Sequence, residues 1–249
     1  MKKAVGICLI IIILTAFLCG CGQKSKTYEE NDNVNLCDYH NLVIDESEYC
    51  VSEEDLNTAI EMNLNSIGLD DDSVKLTDEI ARQYFNSDNK EEAITKIKRE
   101  IIENRFCEAA IEKILTTSHV KILPKESETL VESVINSQKK TADEMGIEHD
   151  EYFKSNFDMT ESEYREALLD EYVNYMIISA LAQKEGYTVS DTERSVIIEE
   201  IANNDEISAD KAIEIYGNEY FDFILYENFL KDYLTDVYSD QIENAVWDK

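Results

Sequence analysis

The stretch TESEYREALLDEYVNYMIISALAQKEG, Thr160 to Gly186, decides the fold. It opens on Thr160-Glu161-Ser162-Glu163, a hydroxyl residue followed three positions later by Glu. In such a capping box the Thr side chain accepts the N–H of the third helical residue and the Glu reaches back to the cap. Tyr164, Leu168, Tyr172, Tyr175, Met176 and Leu181 then recur mostly at three- and four-residue spacings, so they gather on one side of a long helix. No proline interrupts the run, and Gly186 supplies the stop.

The same grammar repeats on both sides. Downstream, Ser190-Asp191-Thr192-Glu193 is another capping box leading into Val196, Ile197 and Ile201. Ser208 to Tyr216 reads as a short helix. Asn218 to about Trp247 reads as one last helix crowded with aromatic residues. Upstream, Glu148 to Phe157 carries Tyr152, Phe153 and Phe157 on a short helix. Leu123-Pro124 starts a helix with Pro at its tolerated first-turn position, and Gly146 ends it. Asn89 to about Thr116 places Ile94, Ile97, Ile101, Ile111 and Ile114 at helical spacings. Thr77 caps a short helix, and Ser52-Glu53-Glu54-Asp55 opens one that Gly68 closes. Only Val34 to Ile44, rich in β-branched and aromatic residues, reads as an extended segment or short strand.

Composition agrees. Seven Gly and one Pro in 249 residues are too few breakers for a β-sandwich or a Gly-rich nucleotide-binding fold. The expected class is all-α, an elongated multi-helix body with one short N-terminal extended segment. A formal charge of −31 makes nucleic acid an improbable partner, because its binding rests on Lys and Arg neutralising phosphates. The same charge keeps the body soluble and repels anionic lipid head groups.

The N-terminus has a grammar of its own. Lys2 and Lys3 precede an apolar run from Ala4 to Leu18, the order of a secretory signal peptide. Leu18-Cys19-Gly20-Cys21 then resembles the bacterial lipobox, in which a small residue precedes the modified cysteine; that rule selects Cys21 for lipidation. Residues 1–20 are thus read as a lipoprotein signal peptide and 21–33 as a flexible polar tether. The helical domain is 34–249. An uncleaved transmembrane anchor is the alternative, since a run of this length comes close to spanning a bilayer. Either reading puts the body outside the cytoplasm, and the first puts it on the outer face of the cell membrane, held by acyl chains. Cys37, Cys50 and Cys107 remain beyond the anchor. Export makes a Cys37–Cys50 disulfide conceivable, but the odd number favours small buried hydrophobes.

Chemistry-bearing motifs are missing from the sequence. His40, His119 and His149 lack metal-ligand spacing, and no phosphate-cradling Gly loop occurs. Asp70-Asp71-Asp72 lacks the alternating ligands and central Gly of a calcium loop, and reads as a solvated connection. The expectation is therefore no catalytic residue, no metal, no cofactor and no small-molecule substrate. What stands out is the aromatic excess. Each ring is explicable as helix-packing core, yet slender helices cannot bury large rings on every face. Tyr152, Phe153, Phe157, Tyr172, Tyr175, Met176, Tyr220 and Phe221 are the candidates for lining a polypeptide-binding crevice.

The order of segments resembles the bacterial trigger factor chaperones. Val34-Asn35-Leu36-Cys37-Asp38-Tyr39-His40-Asn41-Leu42 is similar to the Val-x-Leu-Gly-Asp-Tyr-x-Gly-Leu stretch before the isomerase domain there. Val51-Ser52-Glu53-Glu54-Asp55-Leu56 and Leu76-Thr77-Asp78-Glu79-Ile80-Ala81 resemble the helix starts that flank that domain. Leu123-Pro124 and Lys184-Glu185-Gly186-Tyr187-Thr188-Val189-Ser190-Asp191 resemble later helix starts. Together these landmarks cover roughly residues 34 to 205. Between the second and third the family carries an FKBP-type prolyl isomerase, for which Gly68 to Lys75 leaves no room; the ribosome-docking domain is missing too.

The resemblance implies the helical chaperone domain alone, acting without ATP on unfolded or newly exported polypeptides near the membrane. Two other readings stay open: a scaffold lipoprotein with one fixed protein partner, and a foldase with residual isomerase activity akin to the exported parvulin-type enzymes.

Overall fold

Side-chain caps set most of the helix starts. In the computed structural model, which describes residues 33–69 and 75–247, Ser52, Thr160 and Ser190 each form the reciprocal capping box with Asp55, Glu163 and Glu193. Thr77 and Ser208 accept single cap bonds from Ile80 and Lys211. Asp45 and Glu48 form a further box, which starts a helix that the apolar periodicity did not announce because it is a single turn. Residues 1–32, which hold the segments read as a signal peptide and tether together with Cys21, and Asp70-Asp71-Asp72 lie outside the described residues.

The resulting elements are α1 (Glu46–Tyr49), α2 (Glu53–Ser66), α3 (Asp78–Tyr84), α4 (Lys90–Thr117), α5 (Lys125–Met145), α6 (His149–Phe157), α7 (Glu161–Lys184), α8 (Asp191–Asn204), α9 (Ala209–Tyr216), α10 (Asn218–Val237) and α11 (Ser239–Trp247). Two short strands, β1 (Val34–Asn35) and β2 (His119–Val120), pair antiparallel with Val34 opposite Val120. The fold is helical, as expected, and β1 lies at the head of the segment read as extended. Pro124 sits one position earlier than expected, as the N-cap of α5 rather than in its first turn. The last helix is two: the chain breaks at Tyr238 between α10 and α11.

The chain divides into two compact units, one made of the residues up to Cys37 with Thr117–Leu230, the other of Asp38–Thr116 with Lys231–Lys249. In the first, α5, α6 and α7 pack on one another and the strand pair lies against α7. The Ser118 hydroxyl, buried beside the strands, accepts the N–H of Cys37 at 3.1 Å. A second group within this unit is the α8–α9 hairpin, joined to α10 by Arg194, which donates to both carboxylate oxygens of the buried Asp222 at 2.5 and 3.1 Å.

In the other unit α4 supplies the core with Ile97, Ile102, Phe106, Cys107, Ala110 and Ile114. The Phe106 ring meets Tyr49 at 5.3 Å and Tyr238 at 5.2 Å. Arg105 pairs with Asp55 and also donates to the Cys50 carbonyl, holding that carboxyl well below the usual range. Of the cysteines among the described residues, Cys107 is buried, Cys37 half-buried and Cys50 exposed. The expectation of small buried hydrophobes is therefore corrected for Cys50, whose helix-end position faces solvent.

Neither Gly nor Pro marks the break at Tyr238, which instead carries a long-range contact. Its ring is buried, and its hydroxyl donates to the Tyr39 carbonyl at 2.9 Å and accepts the Leu42 N–H at 2.7 Å. Without the hydroxyl those two backbone groups would lose their side-chain partner. Tyr238→Phe should accordingly lower the stability of this unit by about 2 kcal/mol in urea unfolding, with little change in helical content.

Candidate functional site

The structure sorts the eight aromatic and Met candidates by burial. Tyr152, Phe153 and Phe157 of α6 join Val131, Val134, Ile135 and Ala142 of α5 and Tyr164 and Leu168 of α7 in one interior cluster. Phe157 stacks on Tyr164 at 4.5 Å, and Phe153 lies 5.3 Å from the same ring. Tyr172 and Met176 are buried on α7, and Phe221 is buried on α10. For these six the packing reading holds. The short helix α6 packs on both α5 and α7, and its three rings are buried between them. Tyr175 and Tyr220 alone are half-buried, and they sit on different helices.

A broader apolar surface lies where no site was expected. The core of the α8–α9 hairpin is small, Ile198, Ala202, Ala212 and Phe221, and around it Ile197, Ile201, Ile207, Ile213, Tyr216 and Tyr220 are only partly covered. Val196 is 51% exposed. Ala202, Asn203, Ile207, Ser208, Ala209 and Glu199 line a shallow concavity of about 380 Å³ at the turn between the helices. Tyr216 and Tyr220 stack at 5.1 Å, and the Tyr216 hydroxyl donates to Asp205 at 2.6 Å. That bond and partial burial push the Tyr216 phenol up to about 12, so it is a neutral donor at any physiological pH. From Asp191 to Tyr216 there are eight acidic residues against Arg194 and Lys211, and Arg194 is engaged by Asp222 and Asp191. The hairpin thus offers half-open isoleucine and tyrosine surface within an acidic frame. A signal for it was present: Val196, Ile197 and Ile198 are consecutive, and three successive positions sweep too wide an arc for one buried face.

A second half-buried place lies where α10 packs on α7. Tyr175 meets Phe223 at 5.9 Å and Tyr226 at 6.5 Å. Beside them Glu171 of α7 lies near enough to Glu227 of α10 to feel its charge. Burial, and then that neighbouring charge, push the Glu171 carboxyl up to about 7, against the opposing hydrogen bond from Asn174. Ring surface and a carboxyl that titrates near neutrality are therefore adjacent.

Among the described residues no group of three or more His, Cys, Asp or Glu is placed to hold a metal ion, and no helix is long and apolar enough to cross a membrane. The family model of the bacterial trigger factor protein C-terminus matches residues 87–236, more than half of the chain. The chain belongs to the trigger factor family. No curated protein matches it. The match begins after the landmarks at Val34, Val51 and Leu76 and takes in both the α5–α7 cluster and the α8–α9 hairpin. The trigger factor portion represented is the chaperone-type C-terminal domain, not the isomerase domain.

The Glu171 environment gives a test of this trigger factor fold. Below about pH 4.5 the group is protonated both folded and unfolded and costs nothing; as pH rises toward and through about 7 the folded unit must increasingly hold a disfavoured carboxylate, and stability falls. Glu171→Gln should abolish that fall. Urea unfolding should show a gain of about 1–2 kcal/mol at pH 8, the full linkage being reduced by the group's remaining contact with water, and much less at pH 5.

Proposed function

We propose that this trigger factor relative is a lipid-anchored chaperone on the outer face of the cell membrane, which binds unfolded or newly exported polypeptides without ATP. The observation that carries the proposal is the half-open apolar surface of the α8–α9 hairpin, on a chain whose family portion is the chaperone-type domain. A folded partner would require a fixed, complementary face. Separated isoleucines with stacked Tyr216 and Tyr220 instead accept apolar segments of varied sequence.

Each side chain on this surface is already partly covered, so a client gains only a fraction of the ~1.5–3 kcal/mol that full burial of one apolar residue provides. Set against the cost of ordering the client, a few such contacts give weak and reversible binding. That suits a holder, which must release its client to fold. The acidic frame keeps the empty surface soluble and discourages self-association.

The location rests on the sequence of the N-terminus: Lys2-Lys3, the apolar run and Leu18-Cys19-Gly20-Cys21. Such an anchor would concentrate the chaperone where exported unfolded chains emerge. Catalysis is not part of the proposal, because between α2 and α3 there is no room for an isomerase domain.

Two measurements test these claims separately. The purified mature chain should suppress aggregation of a denatured model protein at near-stoichiometric ratio; Val196→Ser with Ile197→Ser should weaken that about tenfold while circular dichroism stays unchanged. An equally active double variant would move the client surface elsewhere. Cys21→Ala should release the protein from the membrane fraction with its helical body intact; retention there would contradict lipidation at this cysteine.

A further inference from the structure

One exposed segment departs in character from the rest of this acidic protein. Between β2 and α5 the chain runs Lys121-Ile122-Leu123-Pro124-Lys125. Ile122 is 72% and Leu123 41% exposed, adjacent in sequence, and the lysines on either side of them are exposed as well. His119 is exposed two positions earlier, and from Lys113 to Lys125 there is no Asp or Glu, the flanking acids being Glu112 and Glu126. In a chain of 54 acidic and 23 basic residues this is an inversion of both charge and polarity.

The segment is also tied to the point where the described chain begins. The Asn33 side-chain amide donates to the Ile122 carbonyl, its carbonyl oxygen accepts the Ile122 N–H at 3.0 Å, and the Asn33 backbone carbonyl accepts the Lys121 N–H at 2.8 Å. Val34 pairs with Val120 immediately beyond. Asn33 and the tip therefore share one position. Cys21 precedes Asn33 by twelve residues. Twelve residues of any conformation cannot span more than about 40 Å.

We propose that the Lys121–Lys125 tip is a second membrane contact: Ile122 and Leu123 enter the head-group region of the bilayer while Lys121 and Lys125 meet anionic lipid. This rests on the lipid-anchor reading above. Acyl chains at Cys21 keep the tip within reach of the surface. There, two apolar side chains and two lysines, too weak to recruit the protein alone, act at high effective concentration. The rest of the body, at its net negative charge, is repelled from the same surface. Contact through this tip would fix which end of the first unit faces the membrane.

The test uses the full lipidated chain in vesicles of 30% phosphatidylglycerol and 70% phosphatidylcholine. Trp247→Phe removes the native indole, and Ile122→Trp places one at the tip. The expected result is a blue-shifted emission quenched by brominated lipid, with Lys121→Glu/Lys125→Glu reducing the quenching about threefold or more. The same indole placed by Val196→Trp on α8 should stay unquenched.

An acylated chain whose tip indole emits as in water, or is quenched no more than the α8 indole, overturns the proposal. So does a blue shift that needs an added unfolded polypeptide, or one that grows with protein concentration without vesicles; these would assign the tip to client binding or self-association. Mass spectrometry of the N-terminal peptide reads the anchor independently. Missing acyl mass would overturn the anchor reading and this proposal with it, whereas acyl mass with an unquenched tip overturns this proposal alone.

Discussion

The second half of α7 is buried on every side, and the organisation of the first unit follows from that. Met176, Ile177, Ile178, Ser179, Ala180, Leu181 and Ala182 are all buried, nearly two turns in which no face of the helix reaches water. A helix apolar along one stripe can settle on a single neighbour, but one apolar all round has to be surrounded. Along its length the strands lie against α7, α5 and α6 pack on it around Tyr164 and Leu168, and Phe223 and Tyr226 of α10 meet its Tyr175. Small residues at 179, 180 and 182 allow close approach, and the one polar group among them, the Ser179 hydroxyl, is satisfied by the Met176 carbonyl.

The hairpin of α8 and α9 has a smaller buried core than the α5–α7 cluster. Its helices have one another and the start of α10, so isoleucines that a thicker body would bury remain half-open. Capping boxes at Ser190 and the cap at Ser208 fix where these helices begin, and the Arg194–Asp222 pair fastens α8 to α10. The hairpin is therefore held at its base by polar contacts while its apolar side is only partly closed.

The helices were legible because each carries its own local instruction: a hydroxyl or carboxylate at the cap, apolar residues at three- and four-residue spacings, and glycine at the stops. Gly68, Gly146 and Gly186 adopt the left-handed backbone that ends a helix and that a Cβ would strain. What was not legible depends on partners distant in sequence. The Tyr238 hydroxyl meets Tyr39 and Leu42, about two hundred positions earlier, and β2 exists only because Val34 arrives opposite Val120. The burial of the candidate residues depends on distant partners in the same way. Aromatic content marked large residues but not which of them would be enclosed, and the rings of α6 went to the interior while the aliphatic positions of α8 stayed at the surface.

The account makes the α8–α9 hairpin the place where a trigger-factor chaperone domain meets unfolded chains, with the enclosed aromatic cluster as scaffold. Amide hydrogen exchange of the chain with and without a permanently unfolded polypeptide tests this most directly, since it reports every segment at once without altering a residue. The account predicts client-induced protection concentrated between Asp191 and Tyr220, with the interior of α7 unchanged. Protection confined to other segments, or none at saturating client, would contradict it.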